Sequence, residues 1–300
     1  FIAASSPSSL LLRRQSEEEE EERGGETMST KAMSGDKKSN NNNSGRLSEY
    51  NLLDLVGEGS FGKVYKARKK FTGETSAIKF IAKKGKTERD LRSLRQEIDI
   101  LRVLKHPNII AMRDAFETEH EFCVVMEYAQ GELFEVLEDD RTLPELEVKA
   151  IARQLVSALH YLHTNRVIHR DMKPQNVLIG ANKVVKLCDF GYAKIIGKKS
   201  FRKSIVGTPA YLAPEVLKSD ILKKRGFNRA LDMWSTGVII YVSLSGQFPF
   251  NETMELEDQI KNAQFMYPEN PWKEISNDAI NCIKVLIVTL LFWKSALMIS

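Results

Sequence analysis

The sequence predicts an α+β fold with strands gathered in its first half and helices in its second. Three observations carry this. Short apolar strands recur between residues 51 and 126, broken by glycine-rich and charged turns. Two longer stretches, residues 88–104 and 145–164, repeat apolar side chains at helical spacing. A polar loop, His169-Arg170-Asp171-Met172-Lys173-Pro174-Gln175-Asn176, lies between the apolar pairs Val167-Ile168 and Val177-Leu178 and so reads as strand, loop, strand.

Residues 1–48 carry a glutamate run (17–22), an asparagine run (40–43) and many Ser and Gly, and cannot bury enough apolar surface to offset ordering entropy. Disorder is expected there, with Met28 a candidate start and residues 1–27 candidate upstream read-through. Residues 51–56 and 63–68 read as hairpin partners around Gly57-Glu58-Gly59-Ser60-Phe61-Gly62, with Val56 and Val64 flanking. Such glycines let backbone N–H groups approach phosphates. This loop leads into a strand, not a helix, which argues against a dinucleotide fold. In the next strand, 75–81, alternation sets Ile78 and Phe80 on one face and Lys79 on the other. Lys83 and Lys84 follow as a solvated charge run. Leu91, Leu94, Ile98 and Leu101 form one helical stripe with Glu97 at its edge, and Pro107 ends that helix. Residues 122–126 form an apolar strand leading to Glu127-Tyr128-Ala129 and Gly131. Ile151, Leu155, Ala158 and Leu162 share a face of the second helix. His160 and His163 on it read as surface or core residues, because no second ligand pair has metal spacing.

Thirteen residues after Asn176 comes Asp189-Phe190-Gly191. With the polar loop it supplies a carboxylate for a hydroxyl, an amide oxygen and a second carboxylate for Mg²⁺, and a lysine for phosphate charge. Phosphoryl transfer needs that inventory, because its catalysis is mostly positioning and charge neutralisation. In these two motifs the chain resembles the eukaryotic protein kinases. Residues 50–191 are most similar to Fused-type kinases, through Val56–Lys66, Gly131-Glu132-Leu133-Phe134 and the Asp171–Asn176 loop. Residues 195–283 are similar to protein kinase D, through the run from Ile195 to Glu215 and Phe265-Met266-Tyr267-Pro268.

The resemblance implies a two-lobed kinase fold: an N-terminal lobe at 50–126, a hinge at 127–131 and a C-terminal lobe at 132–300, cut short, with an atypical tail at 284–300. It implies a serine/threonine kinase using ATP and Mg²⁺. Asp171 would orient the hydroxyl and accept its proton, and Lys173 would neutralise the moving phosphoryl. Asn176 and Asp189 would hold the metal. Val56, Gly57, Gly59, Gly62, Val64, Lys79, Glu97, Glu127 and Ala129 would form the ATP site, with Lys79 paired to Glu97. Ser76 departs from the family's V-A-I-K motif. Asp232 would anchor the backbone at His169 and Arg170. Ser200 and Ser204 would be regulatory phosphosites for an upstream kinase, and Glu132 would favour basic protein substrates around the target Ser or Thr. A dead kinase-fold scaffold is the alternative reading.

The net charge of +4 implies no nucleic-acid partner. Cys123, Cys188 and Cys282 lack metal-ligand spacing and an even count; Cys123 and Cys188 lie in apolar strands as buried reduced thiols, which fits a cytoplasmic protein. Cys188 facing the nucleotide cleft is the minor reading. The apolar run after Lys284 is far short of the ~20 residues of a membrane span. No arginine follows Arg229 to pair with Glu215, as the family's C-terminal lobe would provide. Read-through from a mispredicted exon is the favoured explanation of that tail.

Overall fold

The computed structural model describes residues 46–59, 62–190, 194–195, 209–217, 229–251 and 253–296, all within the compact unit Asn40–Ser300. The disorder expectation for 1–48 falls almost entirely outside them. Strands β1 (Tyr50–Gly59), β2 (Gly62–Lys69), β3 (Thr75–Ala82), β4 (Met112–Glu117) and β5 (Glu121–Glu127) form an antiparallel sheet in the order β1-β2-β3-β5-β4. Ile78 pairs with Val125 and Lys79 with Val124. The alternation holds: Ile78 and Phe80 pack with Ala67, Phe116 and Val125, while Ala77, Lys79 and Ile81 line the opposite face. Ser76 is buried and its hydroxyl accepts from Arg113 Nη1 at 2.7 Å, so the departure from an apolar residue is matched by a polar partner.

Helix α1 (Glu88–Val103) begins with a capping box, Asp90 N donating to Thr87 Oγ1 at 3.3 Å and Thr87 N to Asp90 Oδ2 at 3.2 Å. Ile98 of the expected stripe is buried, whereas Leu91, Leu94 and Leu101 are only partly covered. After β5 come β6 (Gly131–Glu132), α2 (Leu133–Asp140) and α3 (Glu145–Thr164), then β7 (Val167–Ile168), β8 (Val177–Ile179), β9 (Val185–Leu187) and β10 (Lys194–Ile195). β6, β8 and β9 form a small sheet, and β10 pairs with β7.

The helical half is completed by α4 (Pro214–Leu217), α5 (Ala230–Ser245), α6 (Leu256–Asn262), α7 (Glu269–Trp272) and α8 (Asn277–Ala296). Its core is one cluster joining Leu155, Leu159 and Leu162 of α3 to Trp234, Val238 and Tyr241 of α5. α5 is apolar on nearly every side because neighbours surround it. The anomalous C-terminal run belongs to α8, where Ile283 and Ile287 are buried in that cluster. A Cβ on Gly237 would lie 2.9 Å from Ile287 Cγ1 and 3.2 Å from Leu286 Cβ, so the two helices meet closely at a glycine of α5. The Glu215 side chain lies outside the described residues. Among those residues no helix is long and apolar enough to cross a membrane, and no cluster of three His, Cys, Asp or Glu could hold a metal.

Candidate active site

A cavity of about 1100 Å³ opens between the sheet and the helical half. Its lining includes Val56, Gly57 and Val64 from the first hairpin, Ala77 and Lys79 from β3, and Glu97 from α1. It also includes Met126, Glu127, Tyr128 and Ala129, and on the opposite wall Gln175, Asn176, Leu178, Cys188 and Asp189. Residues far apart in sequence thus share one space: Lys79 and Asp189, which meet in it, are 110 positions apart. Gly59 and Gly62 face each other at the hairpin end. Gly62 has φ +126°, and a Cβ there would lie 1.9 Å from the Phe80 carbonyl oxygen, so no other residue fits. Ser60 and Phe61 lie outside the described residues.

Lys79 Nζ lies 3.2 Å from Asp189 Oδ1, bridging β3 to the segment after β9. Asp189 itself has φ +55°. That backbone is fixed from both sides. Cys188 N donates to Asn176 O at 2.9 Å, and His169 Nε2 donates to Cys188 O at 2.9 Å. His169 Nδ1 accepts from Asp171 N at 3.3 Å, which selects the neutral ring with its proton on Nε2. The buried Phe190 ring packs edge-on against His169, 4.9 Å between centroids.

Asp171 is buried to 4% exposure, and one oxygen of its carboxylate, Oδ2, is held by two side chains. Asn176 Nδ2 donates to Asp171 O at 2.7 Å and to Asp171 Oδ2 at 2.9 Å, and Lys173 Nζ lies 3.3 Å from the same Oδ2. The loop that carries these groups hangs from Asp232, which is 0% exposed. His169 N donates to Asp232 Oδ2 at 3.0 Å and Arg170 N to Asp232 Oδ1 at 2.8 Å. His163 Nε2 lies 2.7 Å from Asp232 Oδ2. No local pattern announces that last contact, since the partners are 69 positions apart on separate helices. His163 is thus part of the loop's support rather than a bystander on its helix.

After β5, Glu127 N donates to Ala111 O at 2.9 Å, while the Glu127 carboxylate accepts from Ala111 N and from Lys186 Nζ, both at 2.8 Å. Among the described residues no main-chain hydrogen bond involves Ala129, which leaves a donor and an acceptor at the cavity edge. Glu132 lines the cavity mouth; burial, with the Glu135 carboxylate beside it, raises its carboxyl above the usual range. Gln175 Oε1 is buried without a partner. Cys188 lines the cleft, so the minor reading of its position is the right one; burial, reinforced by the Asp189 charge, pushes its thiol up. Ser200 and Ser204 lie outside the described residues.

Mg²⁺ prefers oxygen donors and keeps waters and substrate phosphates in its shell, so it needs few protein ligands. Asn176 and Asp189 on one wall fit that demand: the Asn176 amide nitrogen is committed to Asp171, which leaves its oxygen as the ligand atom.

The family model described as protein kinase domain matches residues 50–290. Serine/threonine-protein kinase TIO of Arabidopsis thaliana is 57% identical over 226 residues, covering 74% of this chain and 17% of that protein. Serine/threonine-protein kinase D3 of Homo sapiens is 49% identical over 239 residues, 78% of this chain and 26% of that protein. Serine/threonine-protein kinase 36 of Mus musculus is 50% identical over 208 residues, 69% of this chain and 15% of that protein. The chain therefore spans about a quarter or less of the length of these relatives. The expected likeness to both Fused-type kinases and protein kinase D is present in these relatives, and the chain belongs to the protein kinase domain family.

Proposed function

We propose that this domain transfers the γ-phosphoryl group of ATP to serine and threonine hydroxyls of proteins. The observation that carries the proposal is the Asp171 carboxylate, buried and held between Asn176 and Lys173 beside a cavity that contains the Lys79–Asp189 pair. The cavity's apolar walls at Val56, Val64, Ala77 and Met126 suit an adenine ring, and Ala129 offers it a main-chain donor and acceptor. Lys79, supported by Glu97, holds the α- and β-phosphates. Bound Mg²⁺, held by Asn176 and Asp189, supplies charge neutralisation at the phosphates. Asp171 orients the attacking hydroxyl and takes its proton as its oxygen bonds to the γ-phosphorus, while the bond from that phosphorus to the β,γ-bridging oxygen breaks and ADP leaves. Lys173 neutralises charge on the moving phosphoryl, so charge is met where it develops. The Glu132 side chain, among the residues lining the cavity, favours a basic side chain near the target residue. The free thiols fit a reducing compartment, the cytoplasm.

Incubation of the purified chain with Mg·ATP and a basic protein is expected to yield phosphoserine and phosphothreonine without phosphotyrosine. Label on tyrosine alone, or a peptide array selecting acidic or proline-directed sites, would contradict this reading.

Regulation by an upstream kinase fits the same reading. Ser200 and Ser204 lie among Lys198, Lys199, Arg202 and Lys203, and Arg170 precedes Asp171. A phosphate there adds about −1.5 to −2 charge and would pair with these cations. The Ser200→Ala/Ser204→Ala double variant is expected to lose most activity; unchanged activity in it would end the regulatory proposal alone.

A further inference from the structure

Helix α1 carries Glu97, and its apolar anchoring is thin. Only Ile98 and Ile100 are buried among its 16 residues, and the cavity runs along it past Leu94, Glu97, Leu101 and Leu104. A charged cluster grips it instead. Arg95 Nε and Nη2 donate to Glu117 Oε1 and Oε2 at 2.7 and 2.9 Å, a two-pronged contact that fixes angle as well as distance. Glu117 closes β4. Lys83, just past β3, lies 3.0 Å from Glu117 Oε2 and donates to Thr118 O at 2.6 Å. Both cations sit over the buried Phe122 ring, Lys83 Nζ at 5.0 Å and Arg95 Cζ at 5.5 Å from its centroid. Phe122 in turn packs with Ile98. Lys83 is therefore no solvated charge: its side chain is 19% exposed. The Arg95 guanidinium, with Lys83, holds the Glu117 carboxyl below the usual carboxylate range.

Residues two apart on an α-helix lie about 200° apart around its axis. Arg95 thus ties α1 to the sheet from one side while Glu97 presents itself to the cavity from another. We propose that Arg95, Glu117 and Lys83 form a positioning clamp that sets the angle of α1 and so places Glu97 for its work on Lys79. The proposal rests on the phosphotransfer reading above. An ordinary surface ion pair would add a little stability and nothing else; a clamp acts on turnover through Glu97.

The test is a double-mutant cycle in the full 300-residue chain, measuring kcat and KM. Glu117→Gln is expected to lower kcat about fivefold, as a clamped population gives way to a loose one, with the KM for a peptide unchanged. Arg95→Lys, which keeps the charge and loses the fork, is expected to fall between parent and Glu117→Gln. In a Glu97→Gln background, Glu117→Gln is expected to cost no further kcat. Hydrogen exchange across residues 88–103 is expected to quicken in Glu117→Gln. Equal, additive losses with and without Glu97, or a lowered melting temperature with kcat untouched, would overturn the clamp while leaving phosphotransfer standing. A parent chain without transfer activity would overturn the proposed function, and the clamp's catalytic role with it.

Discussion

Replacing Asp171 by asparagine is expected to lower kcat by roughly a hundredfold to ten-thousandfold, the range lost with a general base. ATP affinity should stay within about twofold, because Asp171 is not among the residues that line the cavity. Asparagine matches the shape of aspartate and can still accept from Asn176 Nδ2, so the loop keeps its course. What disappears is the charge that orients the hydroxyl and takes its proton, together with the ion pair to Lys173 at 3.3 Å. Nucleotide binding by titration calorimetry and single-turnover transfer, made on the same preparation, separate the two effects. Near-normal turnover in Asp171→Asn would remove Asp171 from the role given to it.

The largest expected effect on stability comes from Asp232→Ala. This substitution strips the partners from two main-chain N–H groups, His169 and Arg170, and from the His163 ring, around a carboxylate that is itself 0% exposed. Hydrogen bonds to a buried charge are among the strongest, and orphaned partners keep their full desolvation cost. A loss of about 3–5 kcal/mol is expected, against the ~5–15 kcal/mol that usually holds a domain together. At about 2–4 °C per kcal/mol for a domain of this size, the melting temperature should fall by roughly 10 °C. A calorimetric shift of a degree or less would show that the loop is supported elsewhere.

The parts of the site legible in the sequence are those encoded locally. The loop from His169 to Asn176 and the Asp189-Phe190-Gly191 triplet carry their chemistry within a few residues, and the period-two pattern of β3 put Lys79 on the correct face. The rest depends on contacts that no local pattern announces. Strand β4 has no clear sequence signal because Met112-Arg113-Asp114-Ala115-Phe116-Glu117 breaks apolar alternation with charges and bears a bulge between Met112 and Asp114. Arg113 and Glu117, which spoil the strand signal, turn out to be used: one serves the buried Ser76 and the other grips α1. Nothing local sets Lys83 apart from its solvated neighbours; its reach to Thr118, 35 positions away, does. The tail shows the same limit. From 284 onward the sequence has no polar face, yet Ile283 and Ile287 pack against α5, where Gly237 leaves room for them.

The central claim is that the Asp171 loop and the Lys79–Asp189 pair together move a γ-phosphoryl group. Parallel reactions with ATP labelled in the γ- or the α-phosphate, run with Mg²⁺ on the parent chain and on Asp171→Asn, test it most directly. Label is expected on substrate serine or threonine from γ-labelled ATP only, in the parent only. Label from α-labelled ATP, equal transfer by both proteins, or ATP bound with no transfer at all from a well-folded parent would contradict it.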